Sequence, residues 1–246
     1  MQKTGERSIG TAWKELEERI FAAVTLRRRA VAVGFLDAAP AGLEKFEGSE
    51  PSGCSFWRLA AAAGRSFYTV PENHLNCAVG AYTHNIPLSP AREKETEQTL
   101  QMRFDLGYVK PEEVPQIPRL AKTPSAIAYA PLRDATFEPD AVLFACKPAG
   151  AMLLQEAAGR AGIGSGAPAL GRPTCMALPA TLQAGSILSL GCMGNRVYTG
   201  LGDDEVYFVV KGTDLEALAD ALQVIAGANR ALRDYAAGRR GELASA

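Results

Sequence analysis

The chain has 246 residues, 47% of them apolar and 22% charged, with a net charge of −1 at pH 7. That is enough chain for a core that needs no staples, and the even charge balance excludes the basic footprint of a nucleic-acid-binding protein or an anionic-membrane binder. No run of about eighteen apolar residues occurs, and the charged start MQKTGERSIGTAWKELEERI lacks the apolar region of a secretory signal. The sequence therefore predicts a cytoplasmic protein with no membrane span. In that reducing setting Cys54, Cys77, Cys146, Cys175 and Cys192 read as buried small hydrophobes, metal ligands or reactive thiols, not as disulfides.

In chain order, residues 11–26 place Trp13, Leu16, Ile20, Phe21 and Val24 at helical spacing, with Thr11 as N-cap. AVAVGFL at 30–36 is a buried strand, followed by a long loop through Pro40, Gly42, Gly48, Pro51 and Gly53. Cys54 opens a helix, CSFWRLAAAAG, that stops at Gly64; RSFYTV at 65–70 is a strand, PENHLN a turn, and Cys77 begins CAVGAYTHN. The polar stretch from Pro90 to Leu106 predicts a helix with Leu100, Phe104 and Leu106 inward.

A connector at 107–125 carries Pro111, Pro115, Pro118 and Pro124 and is the best internal boundary. AIAYAPL at 126–132 and AVLFACK at 141–147 are strands, and MLLQEAAGRAG at 152–162 is a helix. GIGSGAPALG at 162–171 lacks the Lys-Ser/Thr of a phosphate loop and follows a helix, so it reads as a flexible approach to Cys175. Residues 213–235, with leucines at three- and four-residue intervals, form the most regular helix.

The two halves resemble each other. Ala32, Val33 and Phe35 repeat as Ala141, Val142 and Phe144. Each strand is followed by a Gly- and Pro-rich loop, then a cysteine (Cys54 or Cys175), a glycine (Gly64 or Gly185), a second cysteine (Cys77 or Cys192) and a Tyr-Thr pair (Tyr82-Thr83 or Tyr198-Thr199). The expectation is an α/β fold: one domain over 1–246 made of two diverged repeats, approximately 11–110 and 120–238, about a pseudo-two-fold axis. A surface that pairs with its own copy keeps that geometry, so the four cysteines would converge across the axis. Cys146 has no counterpart in the first half and reads as core.

Four thiolates select zinc, copper(I) or iron–sulfur clusters over hard cations. The small residues around Cys192 let backbone N–H groups approach a cluster, and Arg172 could offset its negative charge, which tilts the expectation toward [4Fe–4S] held by Cys54, Cys77, Cys175 and Cys192. Zinc on the same thiolates is the first alternative. The second is a metal-free protein for a small anion anchored by Arg172 and Arg196. Thiol nucleophile chemistry at Cys77 or Cys192 ranks last, since His74 is the one nearby base.

Arg196 and Asn195 are candidates for touching substrate or cluster, because a guanidinium fork suits carboxylate or phosphate; the plainer alternative pairs Arg196 with Asp203, Asp204 and Glu205. His74 is a candidate ligand or proton donor, weighed against a plain surface histidine. Glu112 and Glu113 read as solvated. Electron transfer, or redox or Lewis-acid chemistry on a small molecule, are the roles such a cluster would support, as an oxidoreductase or lyase or with a redox partner protein. The Ala-rich last helix is compatible with a homo-oligomer.

RFDLGYVKPEEVPQIPRL (103–120), PDAVLFACKPAGAM (139–152), GRPTCMALP (171–179), SLGCMGNRVYTGLGDDEVYF (189–208) and NHLNCAVGA (73–81) together resemble a prokaryotic family of uncharacterised proteins, domain of unknown function 169 (DUF169). The resemblance covers nearly the whole chain. It implies no activity, and it implies that Cys54, Cys77, Cys175 and Cys192 belong to the family pattern.

Overall fold

The computed structural model describes residues 9–164 and 171–244. The chain builds one mixed sheet from β1 (Val31–Leu36), β2 (Glu44–Lys45), β3 (Phe67–Thr69), β4 (Ala126–Pro131), β5 (Ala141–Cys146), β6 (Ser186–Ser189) and β7 (Val206–Lys211), in the order β2-β3-β4-β1-β5-β7-β6. Only β2 and β3 run parallel; the other neighbours are antiparallel. At the centre, β1 and β5 pair with Ala32-Val33 opposite Ala141-Val142. Just outside them, the first residue after β4 and the first after β7 bond back in the same way: the Leu132 N–H to the Ala30 carbonyl at 2.8 Å, and the Gly212 N–H to the Asp140 carbonyl at 3.1 Å.

Because β4, β5 and β7 are covered on both faces, they read as apolar runs without a polar side. Alternate residues still divide between two cores. Ala128, Val142, Phe144, Phe208 and Val210 point toward α1 (Ile9–Ala23), α5 (Pro148–Arg160) and α8 (Leu215–Ala244). Val33, Tyr129, Leu143 and Val209 point the other way, toward α2 (Cys54–Ala61) and α6 (Ala177–Ala184). Phe144 and Phe208 are fully buried, each contributing about 1.5–3 kcal/mol.

The expected helix at 11–26 is α1, with Trp13, Leu16, Ile20 and Val24 buried, but it begins before Thr11, which lies inside the helix and not at its cap. The polar stretch after Pro90 is α4 (Pro90–Asp105), started by Ser89, whose hydroxyl accepts the Arg92 N–H. None of its residues is buried, and Leu106 is 73% exposed, so the expected inward face is absent: with so few apolar positions there is too little surface to bury. The expected Gly-rich approach to Cys175 lies largely outside the described residues. Two further short helices, α3 (Ala78–Thr83) and α7 (Met193–Thr199), complete the fold. Among the described residues no helix is long and apolar enough to cross a membrane.

Candidate functional site

Four of the five cysteines stand where a helical segment starts. Cys54 is the first residue of α2, Cys77 caps α3, Cys192 caps α7, and Cys175 lies in the short 3-10 turn that runs into α6. Cys146 lies on the opposite face of the sheet, 2% exposed, its thiol pushed up to about 12 by burial. The core role expected of it is what the fold gives it.

Two of the thiols meet, and a third stands nearby. The Cys54 and Cys175 sulfurs are 3.6 Å apart and both are buried. The Cys77 pKa is lowered to about 6, first by the neighbouring Cys175 thiol; burial opposes it, and the N–H groups of Gly53 and Gly80 and the Ser52 hydroxyl assist. The Gly80 N–H reaches the Cys77 sulfur at 3.3 Å. Cys175 itself is held well above the ordinary thiol value by its bonds to Cys54 and Cys77, while Cys54 is pushed down, chiefly by Cys175. The shifts belong to the coupled set and not to any single residue.

Cys192 is tied in through backbone. Its N–H donates to the Thr174 hydroxyl at 2.5 Å, which stitches the start of α7 to the residue preceding Cys175. Gly191 makes that junction: its φ of +76° favours glycine, and a Cβ there would lie 2.7 Å from Leu201 Cδ2. Among the described residues the Cys192 sulfur makes no hydrogen bond to the other three thiols, and no set of three or more Cys, His, Asp or Glu side chains stands ready to hold a metal ion.

Gly53 and Gly80 bring the starts of α2 and α3 together, and a Cβ on Gly80 would lie 3.0 Å from the Cys77 sulfur. Gly80→Ala should displace that sulfur and raise the Cys77 pKa, read as a shift of its alkylation midpoint to higher pH. An unchanged midpoint would mean the contact is slack.

The surroundings are unusually polar for a buried region. Asn195 is 1% exposed and faces both Cys54 and the Tyr207 hydroxyl, yet neither amide atom has a hydrogen-bond partner. The Tyr129 hydroxyl is unpartnered too, and burial above all holds its pKa well above the ordinary value. Buried polar atoms are ordinarily bonded. Those beside the thiols suit a site that takes up a further polar or charged group.

His74 is not the surface residue weighed in the sequence. It is 1% exposed, with Nε2 bonded to the Thr69 hydroxyl at 2.8 Å and Nδ1 unpartnered behind Gly53. His84, equally buried, shares a hydrogen with the Gly80 carbonyl at 2.7 Å. Burial lowers both imidazoles, His84 to about 4 and His74 well below the usual value. They support the Cys77 loop as neutral rings. Since both folded pKa values lie below the unfolded one, near 6.5, the unfolded chain takes up protons first. Stability is then full above about pH 6.5 and falls as pH drops from there toward 4. These are the chain's only two histidines, so NMR reads them directly: neither ring signal should titrate between pH 8 and 5.5, and a midpoint near 6.5 would contradict the assignment.

Arg196 pairs with no carboxylate among the described residues. Its guanidinium clamps the carbonyls of Leu190, Gly202 and Glu205, the last at 3.1 Å. The buried Glu205 is instead paired by Arg28 at 3.1 Å, an arrangement with no local sequence signal because the partners are far apart in the chain. Arg172 turns from the thiols toward the Pro-rich connector, 4.7 Å from the Tyr108 ring and 3.6 Å from Glu113. Glu113 is therefore an ion-pair partner as well as a surface residue.

The DUF169 family, described as uncharacterised ArCR, matches residues 19–221, a span that holds all five cysteines. An uncharacterised protein of Methanocaldococcus jannaschii is 29% identical over 195 residues, covering 75% of this chain and 81% of that relative. No solved structure matches the chain. On the extent of the family match, this chain belongs to the DUF169 family.

Proposed function

We propose that the chain is a metal–thiolate protein whose centre is built from Cys54, Cys77, Cys175 and Cys192. The observation that carries this reading is the 3.6 Å contact of the Cys54 and Cys175 sulfurs at the starts of separate helical segments, with Cys77 beside them, its thiol lowered to about 6, and Cys192 stitched alongside by the Thr174 hydroxyl. Deprotonated sulfur is the form that binds soft metals. The unpartnered Asn195 amide and Tyr129 hydroxyl suit second-sphere hydrogen bonds to bound sulfur.

The two-repeat reading supports the same site. On it β1, β4 and β3 correspond to β5, β7 and β6, the strand order reads outward alike from the central pair, and Ala32-Val33 lie opposite their counterparts Ala141-Val142. The matching bonds from Leu132 and Gly212 belong to the same correspondence. The boundary between halves then falls between β4 and β5, not in the Pro-rich connector. Cys54 and Cys175 become equivalents, as do Cys77 and Cys192.

Two metals fit the donor set. Four thiolates about one zinc ion, with bonds of about 2.3 Å, stand about 3.8 Å apart, close to the 3.6 Å between Cys54 and Cys175. A [4Fe–4S] cluster takes the same four thiolates. When bound, zinc would supply structural closure or Lewis acidity, and a cluster would supply electron transfer. The chain's part is to hold the sulfurs close together at helix starts, Cys54 and Cys175 buried and Cys77 and Cys192 half-buried. Anaerobic purification followed by metal and acid-labile sulfide analysis tests this. About one zinc, or about four irons with four sulfides, supports the centre and separates its two forms; no bound metal, even after reconstitution with each, overturns it.

A further inference from the structure

On the face of the sheet opposite the thiols, a cleft of about 470 Å³ opens between the end of α1, the start of α5 and the middle of α8. Its size falls among pockets that hold small molecules. Four cationic side chains line it: Arg27, Lys147, Arg230 and Arg233. One carboxylate, Glu205, lies there too, and Arg28 already pairs with it at 3.1 Å.

Arg27 and Lys147 share the neighbouring Asp204, at 3.9 and 2.8 Å. Arg230 and Arg233, one helical turn apart on α8, have no ion-pair partner among the described residues. A chain whose net charge is −1 thus gathers four cations at one concavity, where low-dielectric walls concentrate their field. The floor is apolar: Val24, Leu153 and Ala226 stand beneath the charges. Cys146 lies there as well, but its thiol is held protonated by burial and offers no charge.

We propose that this cleft binds a small organic polyanion carrying phosphate groups, with an apolar or planar body. Guanidinium forks at Arg230 and Arg233 take the oxyanion, as they match phosphate oxygens in pairs. Lys147 and Arg27 add charge at the opposite wall, and the strip formed by Val24, Leu153 and Ala226 accepts the body of the ligand. The site is separate from the thiol centre and does not depend on it.

Isothermal titration of the whole chain with ATP, pyrophosphate and citrate tests the proposal, alongside the double variant Arg230→Gln, Arg233→Gln, whose positions are exposed and leave the core untouched. The expected result is binding of ATP or pyrophosphate, weakened at least about tenfold in the variant and steeply by salt. Binding of citrate alone would overturn the phosphate assignment. No binding of any of the three at about millimolar concentration, or equal affinity in the variant, would overturn the site.

Discussion

Cys175→Ala should abolish metal retention and return the Cys77 thiol from about 6 toward the ordinary value of 9.0. Cys175 supplies the largest contribution that lowers Cys77, and it also contacts Cys54 at 3.6 Å, so one substitution removes a proposed ligand and the neighbour that perturbs two others. In the metal-free protein, alkylation of Cys77 followed by peptide mapping reads the change as a midpoint moved up by as much as about three pH units. Cys175→Ser keeps a donor and should move it less. A midpoint that stays near 6 in the alanine variant would show that the Gly53 and Gly80 amides suffice.

The same thiol sets a stability signature. Its folded pKa lies below the unfolded one, so its contribution is fully present above about pH 9 and is lost as pH falls through about 6. Cys175, shifted the other way, opposes it above the ordinary thiol value. The window that belongs to Cys77 is therefore the rise in stability between about pH 6 and 9, which the Cys175→Ala variant should flatten.

Arg28→Ala should be among the most destabilising single changes outside the apolar cores, costing about 3–5 kcal/mol, because it leaves the Glu205 carboxylate buried without its cation. Arg28 also donates to the carbonyls of Thr199 (3.0 Å) and Gly200, tying the approach to β1 to the end of α7. Among the described residues the Glu205 carboxylate then retains the Gly202 N–H, at 2.8 Å. Urea unfolding would report the loss as a lowered midpoint, and adding Glu205→Gln should recover part of it by removing the stranded charge. If the double variant is no better than Arg28→Ala, the carbonyl contacts carry the effect and the ion pair does not. Arg28→Lys keeps charge but not the fork and should fall between.

How far the sequence reaches differs from element to element. The strands at 31–36 and 141–146 and the long last helix are plain in it, because their apolar spacing is local and their burial follows from it. β7 is equally apolar, Val-Tyr-Phe-Val-Val between Gly202 and Gly212, and a β-branched run bounded by glycines is the signal that finds it. The contact of Cys54 with Cys175 has no local signal, since no short spacing joins residues so far apart in the chain.

What the sequence concealed are choices made by distant partners. Arg196 stands before three acids yet spends its guanidinium on carbonyls, and Arg28 takes Glu205 from far up the chain. His74 sits in a polar turn but is drawn inward by Thr69 and the aromatic ring of Phe56, 4.9 Å from its own. No composition rule anticipates such pairings, which depend on which strands the sheet places side by side.

The central claim is that soft metal is bound by these thiolates, and X-ray absorption at the edge of the metal that copurifies tests it most directly. The account predicts a first shell of sulfur at about 2.3 Å, lost in Cys175→Ala, with a second metal shell only if the centre is a cluster. A shell of nitrogen or oxygen alone, or a sulfur shell unchanged in that variant, would contradict it.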